Sequence, residues 1–158
     1  MLKASTQHVA PERGRPRKAA VRVTPGRPAE NCQHQQRILI VEDEIFVAWH
    51  LESILNDLDF TVSGIVPDGR TAMAQAQELG VTLILMDINL KGDLDGIETA
   101  RRIREQGDTT IIFVTAYSDP RTLERIETTI PGALVLAKPV SSGRLRSAIA
   151  KATEPRAD

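Results

Sequence analysis

The feature that most constrains this chain is a rhythm. Short apolar runs rich in β-branched residues alternate with segments whose apolar residues return at helical spacing. Residues 38–41, 60–66, 82–86, 109–115 and 133–137 have strand length and composition. After the first of them, Val47, Leu51, Ile54, Leu55 and Leu58 share one helical face. Residues 70–79, 96–106, 119–129 and 141–152 continue the helical pattern, with Gly80 and Gly107 as stops. Strands that are apolar without alternation are buried on both faces, which requires a parallel sheet covered by helices. Five strands and five helices in alternation therefore read as one doubly wound α/β domain.

The first 36 residues do not share this rhythm. They hold seven basic and two acidic residues, a formal charge of +5, against −6 for the remainder. Pro11, Pro16, Pro25 and Pro28 interrupt any helix, and scattered valines are too few to build a core. Residues 1–36 are expected to be a disordered basic tail, with the folded domain over 37–153 and a flexible end at 154–158. No apolar stretch is long enough for a membrane span and no signal-peptide core precedes the first strand. Cys32 is the single cysteine, so an internal disulfide and a cysteine-based zinc site are excluded. A cytoplasmic location is expected.

The polar residues that end the strands carry the chemistry. In an open parallel sheet ligands bind outside the carboxyl ends of the strands. Strand one ends in Glu42-Asp43, strand three in Asp87, strand four in Thr115, and strand five just before Lys138. An order that makes strands one and three neighbours would gather three carboxylates in one cleft. Like charges that close call for a cation, and hard oxygen ligands suit Mg²⁺. An aspartate beside such an ion can serve as nucleophile toward phosphorus, with a hydroxyl and an ammonium to hold the phosphoryl oxygens.

Residues 38–43, 83–87, Asp95-Gly96, residues 113–116 and Lys138-Pro139 together resemble the receiver domain of bacterial two-component response regulators. The resemblance implies the flavodoxin-like strand order 2-1-3-4-5 and a Mg²⁺-dependent phosphoacceptor, with Mn²⁺ as a substitute ion. It implies that Asp87 accepts the phosphoryl group from a sensor histidine kinase or phosphotransfer protein. Glu42, Asp43, Asp87 and the backbone carbonyl of Asn89 would hold the metal, and Thr115 and Lys138 the phosphoryl oxygens. The Lys138-Pro139 bond would be cis. Such a protein catalyses only its own phosphorylation and dephosphorylation, and is otherwise not an enzyme. A homodimer through the helix 4, strand 5 and helix 5 face is a further expectation.

Three features depart from the family pattern. The acceptor loop Asn89-Leu90-Lys91-Gly92-Asp93-Leu94 is one residue longer than usual and lacks proline. Val135 stands where the family often has a switching aromatic, and Tyr117 is the substitute. With no second folded segment after residue 153, the chain reads as a stand-alone receiver that signals by conformational change or by relaying its phosphoryl group. The polar segment 119–129 is the element expected to shift.

Two surface features bear on partners. Trp49 faces away from the apolar stripe of its helix, near Ile45, and with Pro139 is expected to contact the kinase. In the tail, Arg13-Gly14-Arg15-Pro16-Arg17-Lys18 resembles an AT-hook core, whose Arg13 and Arg15 would enter an A·T minor groove. A DNA-associated regulator is the alternative function. A phosphatase reading wants a second aspartate two residues after the first, where this chain has Asn89. A flavodoxin-type phosphate loop is opposed by Glu42-Asp43-Glu44, which would repel phosphate without a metal.

Overall fold

The computed structural model describes residues 36–116 and 118–155. The basic segment with Arg13 and Arg15, and Tyr117, lie outside those residues. Five strands and five helices alternate: β1 (Arg37–Val41), α1 (Ile45–Asp57), β2 (Thr61–Val66), α2 (Gly69–Glu78), β3 (Leu83–Asp87), α3 (Gly96–Gln106), β4 (Thr110–Thr115), α4 (Pro120–Thr129), β5 (Leu134–Ala137) and α5 (Ser142–Thr153). All strand pairs are parallel, in the order β2-β1-β3-β4-β5.

Strand parity sorts the core onto the two faces of the sheet. Ile38, Ile40, Leu83, Leu85, Ile112 and Val114 point to the side covered by α1 and α5. Leu39, Val41, Ile84, Met86, Ile111 and Phe113 point to the side covered by α2, α3 and α4. The three central strands are accordingly buried along almost their whole length. β2 and β5 lie at the edges and are only half-buried, since an edge strand has a neighbour on one side alone.

Helix starts follow local chemistry. The carboxylates of Asp68, Asp95 and Asp119 accept from the backbone N–H of Thr71, Glu98 and Thr122, and Ser141 caps α5 through Arg144 N–H. Capping explains small differences from the sequence reading. Asp119 and Ser141 precede their helices instead of opening them, and α2 begins at Gly69, directly after its cap.

Candidate functional site

The site is assembled at the carboxyl ends of β1, β3, β4 and β5. Ile40 and Val41 register with Leu85 and Met86, so Glu42 and Asp43 emerge beside Asp87. One ligand oxygen from each of Glu42, Asp43 and Asp87 lies within 4.8 Å of the others. Lys138 follows β5 and reaches back across the cleft. Its Nζ is 2.6 Å from Glu42 Oε2 and 3.4 Å from Asp87 Oδ1. Lys138 is joined to Pro139 by a cis peptide bond. Its backbone N–H donates to the carbonyl of Thr115 at 2.9 Å, tying the ends of β4 and β5 together. Thr115 is itself fully buried.

The backbone beneath Asp87 leaves no room for variation. A Cβ on Gly96 would lie 1.9 Å from the Asp87 carbonyl oxygen. Gly96 N–H donates to the Ile88 carbonyl at 2.8 Å. The pair Asp95-Gly96 therefore does two tasks: one residue caps α3 and the next lets that helix start flush against the strand end.

The electrostatics of the cleft is set by burial. Glu42 and Asp87 are buried. Burial pushes the Asp87 carboxyl above the usual aspartate value, against the pull of Lys138 and of the Asn89 backbone N–H. Burial raises Glu42 too, against hydrogen bonds from Lys138 and from Glu44 N–H. For Lys138 burial opposes the charged form. The hydrogen bond to Glu42 and the charges of Asp87 and Glu42 outweigh it, and the ammonium is held above the usual lysine value. The cleft thus keeps more negative charge than its one buried cation balances.

That imbalance fits a divalent ion. The donors are all hard oxygens, and an octahedral Mg²⁺ spans about 4.2 Å between opposite ligands, comparable with the observed cluster. The two oxygens of Glu42 are already engaged, one by Glu44 N–H at 3.0 Å and one by Lys138. Asp87 and Asp43 meet their ammonium groups at longer distances, 3.4 Å from Lys138 and 3.6 Å from Lys91. The Asn89 side chain is exposed, in the loop after β3.

A second surface adjoins this cleft. Trp49 is 53% exposed, Ile45 46% and Phe46 78%. Phe46 and Trp49 meet edge to face, with ring centroids 5.8 Å apart. Phe46, Val47, His50, Lys138, Pro139 and Val140 border a shallow apolar cleft of about 420 Å³. Phe46 was not singled out by sequence. Its position, one residue before Val47 of the buried stripe, was the available signal.

Comparison with known proteins agrees with this geometry. The family model of the response regulator receiver domain matches residues 38–150. The transcriptional regulatory protein YdfI of Bacillus subtilis is 34% identical over 101 residues, covering 63% of this chain and 47% of that protein. The positive alginate biosynthesis regulatory protein of Pseudomonas aeruginosa is 33% identical over 121 residues, covering 75% of this chain and 47% of that protein. This chain thus aligns with less than half the length of either relative. Among solved structures, the signal receiver domain of a modulated diguanylate cyclase from Desulfovibrio desulfuricans superposes with a TM-score of 0.68 at 37% identity. That match covers 73% of this chain and 90% of the other.

Proposed function

The chain belongs to the response regulator receiver family, and from that premise we propose that Asp87 is its phosphoacceptor, taking a phosphoryl group from a phosphohistidine of a sensor kinase or phosphotransfer protein. The observation that carries the assignment is the pairing of a buried carboxylate at the end of β3 with the Lys138 ammonium 3.4 Å away.

An Asp87 carboxylate oxygen attacks phosphorus, an acyl phosphate forms, and the imidazole nitrogen of the donor leaves. Lys138 stays charged throughout. Its Nζ already bridges Glu42 and Asp87, so a phosphoryl group on Asp87 would arrive within reach of an existing donor. The Thr115 hydroxyl, at the end of the adjacent strand, is the second donor. Mg²⁺ held by Asp43, Asp87 and the Asn89 carbonyl, with Glu42 beside them, would supply positive charge against which the phosphoryl oxygens and Asp87 can approach. Glu42 also fixes Lys138 in place before the donor arrives.

The doubly charged product would draw Thr115 toward it, and the segment after β4 would follow. Ile126 is the one buried residue of α4, which makes that helix the element able to repack at least cost. Signalling then passes to a protein partner through α4 and β5, or the phosphoryl group moves on to another histidine. The exposed aromatic pair and the apolar cleft beside Pro139 would receive the kinase.

The direct test is incubation of the full chain with acetyl phosphate and Mg²⁺, read by intact mass. Wild type is expected to gain about 80 Da, the mass of one phosphoryl group, and Asp87→Asn to gain nothing. Labelling of Asp87→Asn equal to wild type would remove the assignment. Trp49→Ala is expected to slow transfer from a cognate kinase while leaving acetyl phosphate labelling unchanged. Equal kinase transfer would remove Trp49 from the contact.

A further inference from the structure

The acidic cluster faces two ammonium groups, and the second comes from the acceptor loop. Lys138 pairs with Glu42 and Asp87. Lys91 Nζ lies 3.6 Å from Asp43 Oδ2. Their settings differ sharply: the Lys138 side chain is 15% exposed, whereas that of Lys91 is 87% exposed. One is a fixture of the cleft and the other a reversible visitor.

The loop explains how an exposed lysine comes to face inward. Leu90 and Leu94 are buried on either side of it. Asp93 is gripped by a two-pronged ion pair with Arg70, at the start of α2. The two buried leucines hold the backbone of residues 90–94 beside the cleft, and the exposed Arg70–Asp93 pair adds a weaker tether. Gly92 turns the chain there with φ of 112° and open space around it. Lys91 therefore has an anchored base and a free head, with a concentration of negative charge as its nearest attraction.

We propose that Lys91 is a built-in counter-ion for Asp43 that a divalent cation must displace, so that metal binding at this site is an ion exchange and not a simple addition. The inference rests on the metal-dependent phosphoacceptor reading and deepens it. Electrostatics sets its sign and scale. Before the metal arrives, Lys91 relieves repulsion among the three carboxylates. After the metal arrives, the ammonium is a like charge beside a dication. Both effects weaken metal affinity, and both pass through the exposed head of Lys91, so salt screens them in part.

The test is calorimetric titration of the full chain with MgCl₂, compared among wild type, Lys91→Gln, Lys91→Arg and Lys151→Gln. Lys151 lies on α5 and makes the same change of net charge outside the acidic cluster. In about 0.02 M NaCl, Lys91→Gln is expected to lower the Mg²⁺ Kd by about two- to fivefold. Lys91→Arg and Lys151→Gln should match wild type. The advantage of Lys91→Gln should shrink in about 0.5 M NaCl, where the Debye length of a few ångströms is comparable with the 3.6 Å separation. An unchanged or weaker Kd for Lys91→Gln overturns the inference while leaving the metal site standing. Equal tightening by Lys151→Gln also overturns it, because net charge would then be the cause. If wild type takes up no Mg²⁺ at all, the metal site falls and the inference with it.

Discussion

α3 and α4 pack on the same face of the sheet, start on the same kind of aspartate cap and have nearly the same length, yet they are held very differently. α3 buries Gly96, Ile97, Thr99, Ala100 and Ile103. α4 buries Ile126 alone, and its Leu123 is 39% exposed. Much of what else holds α4 is polar: Arg125 Nη1 lies 2.5 Å from Asp95 Oδ2, and Nη2 lies 3.1 Å from Asp95 Oδ1. Apolar burial is short-ranged and hard to rearrange, whereas an exposed ion pair can break and re-form with water at little net cost. The difference teaches a division of labour. One side of the site is a fixed floor under Asp87, and the other is a flap tethered at its edge.

The sharpest way to break the comparison is to disturb the floor. Gly96→Ala is expected to destabilise the protein by about 3 kcal/mol or more, or to prevent folding, because the methyl group meets backbone with no flexible side chain to yield. Urea denaturation measures it, and a loss below about 1 kcal/mol would mean the strand end is softer than described.

Next in size is a matched pair. Ile103→Ala in α3 should cost about 2–4 kcal/mol, as buried isoleucine truncations do. Leu123→Ala in α4 should cost less than about 1 kcal/mol. Equal losses would erase the distinction between the helices.

The third test is dynamic. Amide exchange in α4 should exceed that in α3, and beryllofluoride with Mg²⁺ should shift resonances over residues 115–136 while leaving the middle of α3 in place. Changes confined to the vicinity of Asp87 would argue that the flap does not move.

A smaller effect concerns pH. The raised Asp87 pKa means that folding binds a proton there, so the metal-free protein loses stability from this group as pH rises from the ordinary value of 3.8 through the raised one. Asp87→Asn, which carries no charge to bury, should therefore gain on wild type across that window, by about 1 kcal/mol or less, and added Mg²⁺ should reverse the trend. Lys138 acts in the other sense: its contribution is complete below the ordinary lysine value of 10.5 and is lost above it, as pH passes the raised pKa. Denaturation curves with and without a chelator give both signs.

Smallest of all, Arg125→Ala should cost under about 1 kcal/mol of global stability while accelerating exchange within α4. Unchanged exchange in α4 would show that the tether does not hold the flap.

The contrast between these helices was partly legible in advance. The polar character of 119–129 and its sparse apolar residues already mark a weakly held helix. The caps Asp68, Asp95 and Asp119 each act on a residue three positions away, a local signal, yet the apolar pattern placed Asp119 inside its helix and Asp68 in a turn. Trp49 stands exposed as helical periodicity expects. The Arg125–Asp95 and Lys91–Asp43 pairs were invisible, because nothing in local spacing indicates that residues 30 or more positions apart will meet. Lys138 was expected to face Asp87, and its shorter contact with Glu42 is a matter of side-chain reach that sequence does not encode.

By itself, then, the amino-acid order determines that these runs are strands of a helix-covered parallel sheet, that the intervening segments are amphipathic covers, and which polar residues end each strand. Those properties come from local hydrophobic period and capping, which act over a few residues. Which strands lie side by side, and so which strand ends share a cleft, is decided only when five helices divide between the two faces of one sheet. That packing is collective. It brings Glu42 against a lysine 96 positions later and turns separate strand ends into one charged pocket.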